Sequence, residues 1–135
     1  MTRIQTILSA SAAFLFLTFA VTPLSAQYVE MYRVDSRVKE LPEQDALSTL
    51  ATHLGVPLET LKQQKVEYKS SVGELYAAHQ FARQTHSDFN SMMTELKSGK
   101  SWGELAKNRK VDMDQFNKDS RQLEEALKKT QRASR

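Results

Sequence analysis

The chain has 135 residues and a formal charge of +3, enough for one domain. It contains no cysteine, which excludes disulfides, thiol chemistry, cysteine-ligated metals and a lipid-modified N-terminal cysteine. Its four glycines are scattered, so no phosphate-cradling loop is present.

Residues 1–26 read as a cleavable secretory signal. Arg3 and the amino terminus form a short positive start, an apolar run follows from Ile7 to Val21, and Pro23 breaks it. Leu24-Ser25-Ala26 then offers a small residue at the cut, making Gln27 the expected new N-terminus. A bilayer span needs about 20 apolar residues, and this run stops short at a proline, which favours a signal over an anchor. The Arg-poor start is that of a bacterial secretory signal, so the expected location is the periplasm or the cell exterior. The charge of the remainder is uneven. Residues 27–96 hold seven basic and ten acidic residues, and residues 97–135 hold eleven and six. Solvated helix faces account for that basic end most simply, and an anionic partner is the other reading.

Residues 27–41 place Tyr28, Met31, Tyr32, Val34 and Val38 among charges, and are expected as an arm, either extended over the domain or flexible. The helical domain spans 42–128, followed by a flexible basic tail, 129–135. Pro42 suits the first turn of a helix carrying Ala46, Leu47, Leu50, Ala51 and Leu54. A second helix runs from about Pro57 to Tyr68 with Leu58 and Leu61. Ser71-Val72-Gly73-Glu74 reads as a capping box opening a third helix, with Leu75, Ala78, Phe81 and Ala82. Ser87 is the expected cap of a fourth, with Phe89, Met92, Met93 and Leu96. Ser101-Trp102-Gly103-Glu104 is a second capping box before a short fifth helix. Asp112 caps a sixth, carrying Met113, Phe116, Leu123 and Leu127. The expected fold is all-α, with about six short helices and no strand.

A repeat organises these helices. Residues 50–61 overlay 105–116 without a gap: Leu50 on Leu105, Ala51 on Ala106, Val56 on Val111, Leu58 on Met113 and Leu61 on Phe116. Phe81-Ala82 through Phe89 to Met92 fits between them, with Ser87 in place of the valine. A small alanine lets two helices cross closely while the later apolar residues fill the angle between them. The expectation is three helix-turn-helix-like units around one core.

Candidate chemistry is sparse. His79 and His86, with Asp88 nearby, are weak metal candidates, and without a tight histidine pair, turn or surface histidines are the simpler account. Glu124-Glu125 and Asp112/Asp114 could suggest paired catalytic acids, but Asp112 is better read as an N-cap and the glutamates as solvated helix charges. No Gly-x-Ser-x-Gly elbow occurs among the serines. No cofactor is implied, and the chain is expected not to be an enzyme. Trp102, directly after a cap, is the one tryptophan and a candidate partner anchor, although such a residue more often pins a helix start to the core. Lys128, Lys129 and Arg132 are the candidate electrostatic contacts at the basic end.

Residues 47–68, and above all the stretch from Leu50 to Leu61, resemble the helix-turn-helix of DNA-binding proteins. That resemblance implies a packing motif. The would-be reading helix exposes Glu59, Thr60, Gln63 and Gln64, and phosphate-binding cations are scarce there, so DNA binding is not expected. Residues 42–127, with their Leu-Gly-Val turn and Ser-Trp-Gly-Glu-Leu segment, also resemble uncharacterised small exported bacterial helical proteins with helix-turn-helix-like repeats. That likeness implies the fold and export and gives no activity. The expected function is a non-enzymatic binding protein whose partner is another exported or envelope protein. The alternatives are a small ligand or metal held between helices, and weak contact with an anionic membrane.

Overall fold

The computed structural model describes the chain from Leu24 to Arg135, with side chains from Glu30 onward. The expected signal segment lies outside these residues, except that Leu24–Ala26 begin the first helix. Among the described residues there are seven helices and no strand, so the fold is all-α: α1 (Leu24–Val38), α2 (Glu43–Leu54), α3 (Leu58–Tyr68), α4 (Val72–Gln84), α5 (Phe89–Lys97), α6 (Trp102–Asn108) and α7 (Met113–Ala133).

Helices α2 to α7 follow one another as three pairs, and the turn within each pair has one backbone form, which recurs at Lys69 and Gly99 between the pairs. At the first turn, the Val56 N–H donates to the Ala51 carbonyl at 3.1 Å. Ser87 donates to Ala82 at 3.0 Å, and Val111 to Ala106 at 2.9 Å. The residue before each donor is left-handed, with φ of 66° at Gly55, 51° at His86 and 54° at Lys110. Each unit therefore joins its helices by the same six-to-one helix-ending turn, which satisfies carbonyls that a bare helix end leaves open. Ala82 and Ala106 are buried at these crossings, whereas Ala51 is only partly covered. The first unit is accordingly the more open of the three.

The cap of α5 departs from expectation. Ser87 occupies the place of Val56 and Val111, and its hydroxyl pairs with Thr85 at 2.8 Å. Asp88, one residue on and extended at φ −105°, ψ 162°, accepts the Ser91 N–H at 2.7 Å. The second capping box is complete: Ser101 Oγ accepts from Glu104 N–H at 3.1 Å, and Glu104 Oε2 accepts from Ser101 N–H at 2.9 Å. Ser101→Ala is expected to cost about 1 kcal/mol in chemical denaturation, and an unchanged midpoint would remove the cap's role. The first box is half formed. Ser71 Oγ accepts from Glu74 N–H but donates its own hydrogen to Asp35 Oδ2 at 2.8 Å.

That contact belongs to α1, a packed helix where the sequence reading expects an extended or flexible arm. Met31 and Val34, three residues apart on one helical face, are both buried, and Val38 continues the face partly covered. The helix packs chiefly on α7 and α4. Asp35 reaches the start of α4, where its Oδ1 accepts the Gly73 N–H at 2.7 Å. Glu30 is buried and accepts the Ser120 hydroxyl of α7 at 3.0 Å. Among the described residues the buried hydrophobic side chains run from Met31 to Leu127, and a chain beginning at Gln27 keeps all of these.

Helix also continues further into the basic end than the sequence reading expects. Helix α7 continues through Lys128 and Lys129 to Ala133. Leu127 is buried, Thr130 pairs with Thr49 of α2 at 2.8 Å, and Gln131 Nε2 donates to Glu40 at 2.9 Å. Lysine and arginine in the last turn also suit the negative end of the helix dipole.

Candidate functional site

The densest polar cluster centres on Asp119 of α7. Its Oδ2 accepts from the Gln80 amide at 2.7 Å and the Tyr76 hydroxyl at 2.9 Å, both from α4. His53 of α2 completes the set at 2.9 Å. Because an ionised carboxylate only accepts, the His53 Nε2 facing it carries the hydrogen. Tyr76 is fully buried and also lies 3.3 Å from the Phe116 carbonyl. Burial, with the Asp119 charge beside it, pushes the phenol far above its ordinary pKa, so Tyr76 acts as a neutral donor. An oxygen accepting three hydrogen bonds has little left for a substrate proton. The arrangement is suited to tying α2, α4 and α7 together.

A second polar contact surrounds His79 of α4. Its ring stacks on Phe89 of α5 with centroids 4.6 Å apart, and Nε2 pairs with Gln64 Oε1 of α3 at 2.8 Å. Burial, with the positive Arg83 adding to it, pushes its pKa down to about 4. The folded protein therefore favours the neutral imidazole. Stability is full above the ordinary histidine value of about 6.5 and falls as the pH drops toward 4. After discounting for partial exposure, we expect a loss of about 1–2 kcal/mol between pH 7 and pH 5. His79→Gln should flatten that dependence in urea titrations at the two pH values. An equally steep dependence in the variant would place the titrating group elsewhere.

The sequence-derived site residues do not converge. His86 is exposed in the left-handed turn after α4, and Asp88 caps α5, so neither joins His79. No group of three histidine or carboxylate side chains spaced for a metal occurs among the described residues. Trp102 turns inward, edge-on to Phe81 at 5.4 Å, and lines an apolar pocket with Met31, Ala77, Met113 and Phe116. The free space there is about 10 Å³, room for roughly one water. Lys128 is paired with Glu125 at 2.6 Å, while Lys129 and Arg132 are exposed near the opposite end of α7. Trp102 and the basic end are thus separate features.

Sequence reasoning missed Asp119, His53, Tyr76 and Gln80 as a group, since they come from three helices 39 to 66 residues apart. Asp35 was also missed, although Met31, Val34 and Val38 carried a helical spacing that could have placed it.

Two outward faces remain. On α3 only Leu61 is buried, and Val66 is 78% exposed in a shallow depression lined by Glu59, Lys62, Gln63 and Glu67. The α3 cations are engaged, Lys62 with Glu59 at 2.8 Å and Lys65 with Glu43 at 3.5 Å. On α7 the face opposite the core is charged along its length. No protein-family model matches the chain, and no curated protein or solved structure matches it.

Proposed function

We propose that the protein is an exported, non-enzymatic helical module that binds another exported or envelope protein through the outer face of α3. The observation that carries this reading is Val66, a large apolar side chain left 78% exposed in the last turn of α3. Protein interfaces set apolar side chains within a polar rim, the arrangement that Val66 has with Glu59, Lys62, Gln63 and Glu67. The frame here is mixed in charge, with Glu59 and Glu67 beside Lys62. Such a frame complements a protein surface better than a phosphate backbone, whose partner helices carry unopposed cations. The position is also the one that a helix-turn-helix offers outward, here turned to a different use. A binding role is further supported by the reactive side chains, since His53, Tyr76 and Gln80 hold Asp119 and His79 joins three helices.

The test is affinity capture from an envelope extract of the native host with tagged residues 27–135, beside the Val66→Glu variant. Defined proteins captured by the first and lost with the second are the expected result. Capture that is indifferent to Val66 would move the contact off α3. A blank from folded protein would favour a small ligand.

A further inference from the structure

The buried face of α7 is set by Phe116, Ser120, Leu123 and Leu127. At 100° per residue the opposite side of that helix holds Lys118, Arg121, Gln122, Glu125, Lys129 and Arg132, and all six are exposed. Four are cations, and none of Lys118, Arg121, Lys129 and Arg132 forms an ion pair among the described residues. Two acids share this face: Asp114 at its start, and Glu125, which pairs with Lys128 from the flank and also feels the charges of Arg132 and Lys129. From Lys118 to Arg132 the row spans about 21 Å at 1.5 Å per residue. It is a line of predominantly positive charge on a helix whose other side is locked into the core.

We propose that this outward face of α7 docks the protein flat against an anionic lipid surface. The occupant is argued from shape and charge. A straight cationic row meets a plane of negative head groups with all four cations at once, because a rigid helix keeps them in line. No aromatic or large apolar side chain lies in the row, so the contact stays at the head groups, without the apolar wedge of an inserting helix. Nor does the row carry an aromatic on which a nucleic-acid base would stack. The contact follows from the whole length of α7, and the last residues of the chain are only its end. It rests on the export reading, which brings the protein to a membrane face, and is independent of the α3 surface.

The test is co-sedimentation of residues 27–135 with vesicles of phosphatidylcholine alone or containing phosphatidylglycerol, at low and moderate salt. One variant neutralises the row: Lys118→Gln, Arg121→Gln, Lys129→Gln and Arg132→Gln. A second removes four exposed, unpaired cations elsewhere: Lys39→Gln, Lys69→Gln, Lys107→Gln and Lys110→Gln. Both have the same net charge, and circular dichroism confirms that both are folded. Each cation near an anionic surface is worth about fivefold in binding, so neutralising the row is expected to weaken it by more than about a hundredfold. The second variant should bind within a few-fold of the parent, the parent should release with added salt, and Val66→Glu should bind as the parent does. Equal losses in the two quadruple variants would reduce the effect to net charge and overturn the proposal. So would no binding by the parent, equal binding to uncharged vesicles, or equally tight binding to a short DNA duplex.

Discussion

Replacing Gly73 by alanine is expected to lower the melting temperature by about 10 °C, from a loss of about 3 kcal/mol. A Cβ at this position would lie 2.6 Å from the Met31 carbonyl oxygen and 2.8 Å from the Asp35 carboxylate. The first neighbour is backbone, so relief requires α1 to move off α4 as a unit. That movement also pulls Asp35 away from the Gly73 N–H and the Ser71 hydroxyl, opening the start of α4. Gly55→Ala is the instructive comparison. Its Cβ would meet nothing within 4 Å, and only the positive φ of 66° opposes it, so a cost of about 1 kcal/mol is expected. Thermal melts of the two variants measure the difference. A Gly73→Ala protein as stable as the parent would mean that α1 does not sit on α4 in this way.

Asp119→Ala is the second large effect, expected at about 3 kcal/mol. The substitution removes no core carbon of consequence. What it removes is the shared acceptor of Tyr76, Gln80 and His53, leaving a buried amide without its acceptor and a fully buried phenol with only the longer contact to the Phe116 carbonyl at 3.3 Å. Tyr76→Phe, which deletes one donor and leaves Asp119 its other two, should cost about 1–2 kcal/mol. Because both changes act on the same bond, the double variant should cost clearly less than the two added together. Additive losses in urea unfolding would show that the hydroxyl and the carboxylate are not energetically linked.

Features encoded within a few residues were legible from sequence. The Ser101–Glu104 box, the Asp112 cap and the three turns at Gly55, His86 and Lys110 depend on neighbours in the chain, and the repeated apolar-alanine pattern marks them. The cap of α5 was misplaced by one residue because Ser87 and Asp88 are both good caps. Only the turn geometry, which gives the Ser87 N–H to Ala82, decides between them.

Two larger misreadings have one cause. Helix α1 and the end of α7 are rich in charge, which reads as an arm and a tail when each is taken alone. Polar side chains nevertheless tie them into the fold: Glu30 of α1 to Ser120 of α7, Asp35 of α1 to Gly73 of α4, and Gln131 of α7 to Glu40 just after α1. Each helix supports the other, and neither signal exists until both are placed. The Asp119 cluster was illegible for the same reason. Trp102, readable from sequence as a surface anchor or a core pin, is partly buried and packs edge-on to Phe81 at the margin of the core. The cationic row of α7 was within reach, since Lys118, Arg121, Lys129 and Arg132 share one helical face once the helix is known to continue through them.

The central claim is that the chain is exported and acts by its surface, so the most direct measurement is its location and true N-terminus. The full chain, tagged at the C-terminus and expressed in a bacterial host, would be fractionated and the isolated protein sequenced from its first residue. The account predicts protein outside the cytoplasm beginning at Gln27, a cut that removes three residues of α1 and leaves Glu30, Met31, Val34 and Asp35 in place. Intact protein beginning at Met1 and held in the cytoplasm would contradict it, and with it both proposed surfaces would lose the partners assigned to them.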